Sequence, residues 1–233
     1  MHHIYCISGL GADHRIFQKL KIENAELHFI EWELPAIDDT MRSYALKLAR
    51  QIKHSSVVLI GVSFGGMLAT EISRYYQQVK KDNLQNRETE LKPNLVINRT
   101  ILISSCKATE ELPSLMKLAA RMKVHKAVPY KLILGNNALN RFAFDLRSSE
   151  EELYLKRLML EENNFTLIKR SIHLILNWKA QLPVNIIHIH GTSDRLLTPR
   201  NVKPDYWIKD GGHFMVWNRA VEISAILNSL LKT

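Results

Sequence analysis

Residues 61–66 read GVSFGG, between the apolar run SVVLIG (56–61) and the helix-like stretch MLATEISRYY (67–76). A bare G-x-S-x-G arises by chance about one time in twelve in a chain of this length, at ~7% glycine and a similar share of serine. Its position therefore carries the weight. A serine on a sharp strand-to-helix turn is driven toward positive φ, and the residues two places away must be small. Gly61 and Gly65 meet that need, and Gly66 lets the helix approach the sheet. Such a turn exposes the Ser63 hydroxyl at a helix N-terminus, where the Phe64 N–H can meet an oxyanion.

Outward from this turn, short apolar runs alternate with helical patterns. HIYCIS (3–8), ELHFIE (26–31), SVVLIG (56–61), INRTILIS (97–104), NIIHIH (185–190) and DYWIK (205–209) read as strands. Most are nearly continuous in apolarity and rich in Val and Ile, as expected of parallel strands covered on both faces. Thr40 or Asp39 can cap a helix whose Met41, Tyr44, Ala45, Leu48 and Ile52 share one face. A second such helix near the end carries Ala220, Ile223, Leu227 and Leu230. The alternation predicts an α/β fold with a mostly parallel, doubly wound sheet of about six strands, as a single domain over 1–233.

Two segments break the rhythm. Residues 79–96 are polar and charged, a surface extension of the helix that follows the turn. Residues 107–180 hold no strand pattern and offer helical stripes instead, Leu115, Leu118, Ala119 and Met122, then Ile168, Ile172, Ile175 and Leu176. In open α/β sheets the ligand crevice lies beyond the carboxyl ends of the strands. This segment leaves the strand 97–104 at that end, so a helical lid is expected over about 107–162. Residues 165–178 read as an ordinary sheet-covering helix. Leu115, Met116, Leu118, Met122, Leu139 and Phe142 are the lid's candidates for an acyl-facing wall.

A serine hydroxyl needs a base to take its proton, and the base needs orienting. HGTSDRLLTP (190–199) follows a strand and carries Asp194, and DYWIK leads into DGGHFM with His213 before the last helix. Both fall at carboxyl ends of strands, the same edge as Ser63. Asp205 lies at the wrong end of its strand, and Asp210 is too near His213 in sequence. SSCKA, after the strand before the lid, has no carboxylate ahead of Glu110.

The order Ser63, Asp194, His213, together with SGLGAD (8–13), GVSFGG, HGTSDRLLTP and GGHF, resembles the α/β-hydrolase superfamily over nearly the whole chain. The resemblance implies that Ser8-Gly9-Leu10-Gly11 is the oxyanion loop, with the Leu10 N–H as second donor beside Phe64. Ser8 stands where many members have His, which leaves the amide role intact. The family's usual first two strands are missing, so the sheet is expected to be shortened at that edge. The implied activity is hydrolysis of a carboxylic ester or thioester through an acyl-enzyme, without a cofactor. A receptor-like member with little turnover, a C–C hydrolase, an acyltransferase and a lyase share the same fold. A serine at the turn argues against the epoxide and haloalkane branches, which use Asp there.

Around this centre, Asp13, His14, Cys106, Met116, Phe142, Leu196 and Phe214 are candidate pocket residues. Asp13 also suits a helix cap, and Cys106 a packed thiol. His190 suits a structural hydrogen bond. His54, His125, His173 and His188 have no metal-ligand spacing, and no metal is expected. No G-x-G-x-x-G follows a strand, and there is no phosphate loop.

Composition bounds the rest. The chain has 233 residues, 46% of them hydrophobic, and a formal charge of +9. The basic residues are interleaved with carboxylates, as in VKKDNLQNRETELK (79–92), so nucleic acid is not an expected partner. The excess biases the surface toward anions without defining a function. No apolar run nears the ~20 residues of a membrane span. MHHIYCISGL lacks the basic and apolar regions of a secretory signal, and the two cysteines suit reduced thiols, so a cytoplasmic location is expected. The expected partner is a small-molecule acyl substrate; nothing in the sequence sets an oligomeric state.

Overall fold

The computed structural model describes residues 1–81, 91, 92, 94–121, 165–180 and 185–232. They form a six-stranded sheet of β1 (His2–Ile7), β2 (Ala25–Phe29), β3 (Ser56–Val62), β4 (Val96–Ile103), β5 (Ile186–Gly191) and β6 (Tyr206–Ile208). The spatial order is β2-β1-β3-β4-β5-β6, and every pairing is parallel. The order reverses direction after β2, so the crevice at the carboxyl ends of β1 and β3 is the topological switch point.

Each strand lies within one or two residues of its expected range. The cause is visible in β1, where Tyr5 and Ile7 face one buried layer while Ile4 and Cys6 face the other. Such a strand must be apolar at every position, which is why the pattern is continuous. On the Tyr5 side lie α1 (Met41–Ala49) and α2 (Phe64–Lys81), contributing Tyr44, Leu48, Leu68 and Ile72. On the other side lie a short 3-10 helix (His14–Phe17), α5 (Met215–Asn218) and α6 (Ala220–Leu231), contributing Ile16, Phe17, Met215, Ile223 and Leu227.

Thr40 begins α1 with a capping box, its side chain accepting from the Ser43 N–H while the Ser43 hydroxyl accepts from the Thr40 N–H. Caps of this kind contribute about 1 kcal/mol. Ile52 is buried as expected but lies beyond the helix, which ends at Ala49. After α2, Leu91 and Leu95 return the chain to the core before β4.

Two helices of the long 107–180 segment are described, α3 (Ser114–Arg121) and α4 (Phe165–Leu176). In α3 the expected apolar stripe is not a buried one: Leu115 is 77% exposed and Leu118 52%, while Met116 packs on the core. In α4 the fully buried side chains are Ile168, Ser171 and Leu174, a stripe rotated from the expected one; Ile175 is partly buried. The i, i+3, i+6 spacing keeps these three on one helix face, and Leu174 and Trp178 join the core on the Tyr5 side. Residues 122–164, most of the expected lid including Met122, Leu139 and Phe142, lie outside the described residues. Among the described residues no helix is long and apolar enough to cross a membrane.

Candidate active site

The turn after β3 has the geometry its glycines demand. Ser63 has φ 53°, a left-handed conformation that costs a non-glycine residue ~1–3 kcal/mol and persists only where surrounding contacts impose it. Those contacts are present. The Ser63 N–H donates to the Ile103 carbonyl of β4 at 3.0 Å. The Ser63 carbonyl accepts from the Gly66 and Met67 amides at 3.0 and 3.3 Å and from the Ser105 hydroxyl at 2.6 Å. Ser105 is a positioning residue that sequence reading missed, and a serine just after β4 carried no signal of its role.

The glycines make the turn possible by close backbone approach. A Cβ on Gly61 would come within 2.5 Å of the Gly65 carbonyl oxygen and the Gly66 Cα. One on Gly65 would lie 2.2 Å from the Ile7 carbonyl oxygen and 2.3 Å from that of Ser8. Gly65 therefore spaces α2 from the end of β1, where the Ser8–Gly11 loop begins. That loop folds by Ala12 N–H to Gly9 carbonyl (3.0 Å) and Ser8 hydroxyl to Ala12 carbonyl (2.9 Å) bonds. A Cβ on Gly9 would lie 3.3 Å from the Ser63 Cβ, so the loop passes in van der Waals contact with the serine. Phe64 opens α2, whose first-turn amides have no acceptor within the helix. Its ring is buried and stacked with Trp32, at 5.5 Å between centroids.

A similar close crossing joins the other two loops. A Cβ on Gly191 would lie 2.1 Å from the Gly211 carbonyl oxygen. The Ser193 N–H donates to that same oxygen at 2.9 Å, and the Thr192 N–H donates to Ile208 at 3.0 Å. The loop after β5 is thus fastened to the loop after β6, Asp194 on one and His213 on the other. His213 Nδ1 lies 2.8 Å from Asp194 Oδ2, and its Nε2 lies 2.9 Å from Ser63 Oγ. Since a carboxylate only accepts, Nδ1 carries the proton, and Nε2 is left to accept from the Ser63 hydroxyl.

Asp194 is buried, which by itself would push its carboxyl up. Electrostatic attraction and a hydrogen bond from His213, with the Leu197 amide, hold it below the ordinary aspartate value. Its second oxygen accepts from the Leu196 and Leu197 amides, both at 2.9 Å. His190 Nε2 lies 3.6 Å from Asp194 Oδ2, close enough for an ion pair if it were charged. It is not: desolvation, only partly opposed by Asp194, lowers its pKa, and Nε2–H donates to the Leu197 carbonyl at 2.8 Å. Nδ1 then accepts from His188 Nε2 at 3.2 Å. Neutral His190 therefore braces the acid loop and leaves Asp194 to His213, the structural hydrogen bond expected of it.

The other candidates divide. Asp13 caps the 3-10 helix, its carboxylate bound to the Arg15 amide and guanidinium, with its pKa lowered by those bonds against the effect of burial. His14 is exposed and turns to Phe29 and Glu31. Cys106 is fully buried, and desolvation first, then the Glu111 and Asp194 carboxylates, push its thiol well up, away from the thiolate. Phe214 is buried and stacked beside Trp217 in the α5 and α6 layer. Leu196 stays half-buried next to Asp194, Leu10 packs on the α1 and α2 core, and Phe142 lies outside the described residues.

No family model matches the sequence, and no curated protein matches it. Solved structures do. A hydrolase from Oleispira antarctica aligns over 100% of this chain and 92% of its own at 12% identity, with a TM-score of 0.70. A structure from work on carboxylesterases of the thaumarchaeon Nitrososphaera gargenis aligns over 99% and 90% at 13% identity, TM-score 0.69. A polyneuridine aldehyde esterase variant aligns over 98% of both chains at 15% identity, TM-score 0.62. The chain has the α/β-hydrolase fold. Bacillus megaterium epoxide hydrolase is also similar, at 12% identity and a TM-score of 0.66, so the α/β-hydrolase fold alone does not select a reaction.

Proposed function

We propose that this protein is a serine hydrolase that cleaves a carboxylic ester or thioester through an acyl-enzyme on Ser63. The observation that carries the reading is the unbroken chain from Asp194 Oδ2 through His213 to Ser63 Oγ, at 2.8 and 2.9 Å. His213 Nε2 takes the Ser63 proton as Oγ forms a bond to the substrate carbonyl carbon. The Phe64 and Leu10 amides hold the resulting oxyanion, and removing one such donor typically costs about 10²–10³ in rate. Collapse breaks the bond to the leaving oxygen or sulfur, which receives the proton from Nε2. Water then repeats the cycle on the acyl-enzyme, with Nε2 as base and Ser63 as leaving group. Asp194 holds the productive tautomer throughout. Serine at the turn is what separates this reading from epoxide opening, despite the likeness to an epoxide hydrolase. We extend the proposal to the expectation from sequence that the 107–162 segment selects the acyl chain.

The test is a panel of p-nitrophenyl esters and acyl thioesters of graded chain length, run on the wild type and on Ser63→Ala. Turnover on some members that Ser63→Ala loses by about 10⁴-fold or more is expected. Equal rates for the two proteins across the whole panel would sink the proposal.

A further inference from the structure

Beside the first half of β1, away from Ser63, parallel pairing brings together three histidines far apart in sequence. His3 pairs with Glu26 and Tyr5 with His28 across β1 and β2, and His54 sits in the segment leading to β3. One ring nitrogen of each histidine lies within 4.8 Å of one from each of the others. We propose that His3, His28 and His54, with the Glu26 carboxylate, bind a Zn²⁺-class divalent transition-metal ion.

The donor distances fit. Ligand atoms on a tetrahedral Zn²⁺ with bonds of ~2.0–2.1 Å stand about 3.3–3.4 Å apart. His3 Nδ1 lies 3.2 Å from His28 Nε2 and 3.3 Å from Glu26 Oε2, and His28 Nε2 lies 3.7 Å from the same oxygen. His54 is stacked on His3 at 3.5 Å between centroids and 10° between planes, so its ring must turn out of that stack to bring a nitrogen to the ion. Three imidazoles and one carboxylate suit zinc, copper and nickel, and suit magnesium and calcium poorly.

The site also has the outer support that imidazole ligands need. Tyr5 Oη lies 2.9 Å from His54 Nδ1 and accepts from the Lys53 N–H at 2.8 Å. With an ion on Nε2, the Nδ1–H of His54 would donate to the Tyr5 oxygen, which fixes the tautomer. The Tyr5 ring stacks on His28 at 4.7 Å, ordering a second ligand. All three histidines are half-buried, so an ion has access. Once bound, it would fasten the edge strand β2 to β1 and to the approach to β3. An edge strand is the weakest point of an open sheet.

The measurement is Zn²⁺ retained per chain, and the Zn²⁺-dependent shift in melting temperature, for protein carrying no appended histidine tag. One ion per wild-type chain is expected. His28→Gln and His54→Gln should each weaken binding at least ten-fold and lose the Tm shift. Circular dichroism on these half-exposed variants would verify that they remain folded. His213→Ala should retain the ion fully, and a hundred-fold excess of Mg²⁺ should not displace it. Failure to retain stoichiometric Zn²⁺, equal retention by both glutamine variants, or loss of the ion in His213→Ala would each overturn the proposal.

Discussion

Ser63, Asp194 and His213 are each held by their own backbone surroundings, and only the last contact of each is chemical. Ser63 is fixed by its own amide and carbonyl, Asp194 by two amides on Oδ1, and His213 by the loop locked against Gly191. Asp194 yields a pH prediction. A carboxyl held below its ordinary value contributes stability that is fully present above the unfolded value near ~4 and is lost as pH falls through the lower folded value. The Tm gap between wild type and Asp194→Asn should therefore be full at about pH 6 and shrink steadily below pH ~4. A gap that stays constant over that range would contradict a carboxylate stabilised in this way. All three residues were legible in the sequence because each is announced by glycines that only a tight turn requires. Ser105 and the His188–His190 brace were not, since a polar residue at a strand end looks the same whether it braces a loop or meets solvent.

At the level of elements, the β3 turn, the N-terminus of α2 and the Ser8–Gly11 loop form one unit with Gly65 at its centre. A methyl group on Gly65 would strike two carbonyl oxygens of the β1 exit, and backbone cannot swing aside as a side chain can. Gly65→Ala should cost ~1–3 kcal/mol by overpacking and should lower kcat more than it raises KM, because it displaces the proposed oxyanion donor. Thermal denaturation and steady-state kinetics would check this, and an unchanged Tm with full activity would contradict the packing. The inner strands β1, β3 and β5 were readable from sequence because burial on both faces leaves little polar alternation. The stripe on α3 shows the limit of such reading: apolar spacing shows that a face exists but not what covers it, and Leu115 and Leu118 are exposed among the described residues.

Across the whole molecule, the parallel sheet gathers chemistry in two places. The carboxyl ends collect Ser63, Asp194 and His213 from loops 150 residues apart in the Ser–His pair. The region beside the first half of β1 collects His3, His28 and His54, whose sequence spacing matches no ligand motif, because register between strands rather than spacing along the chain made them neighbours. That difference explains why the first site could be read before the fold was known and the second could not. The central claim is that Ser63 is a nucleophile activated by His213 within the α/β-hydrolase fold. Labelling with a fluorophosphonate, followed by mass spectrometric mapping, tests it most directly. A single adduct on Ser63 is expected in the wild type, with labelling slowed by about 10³-fold or more in His213→Ala. Absence of labelling in the folded protein, or an equal rate in His213→Ala, would contradict the account.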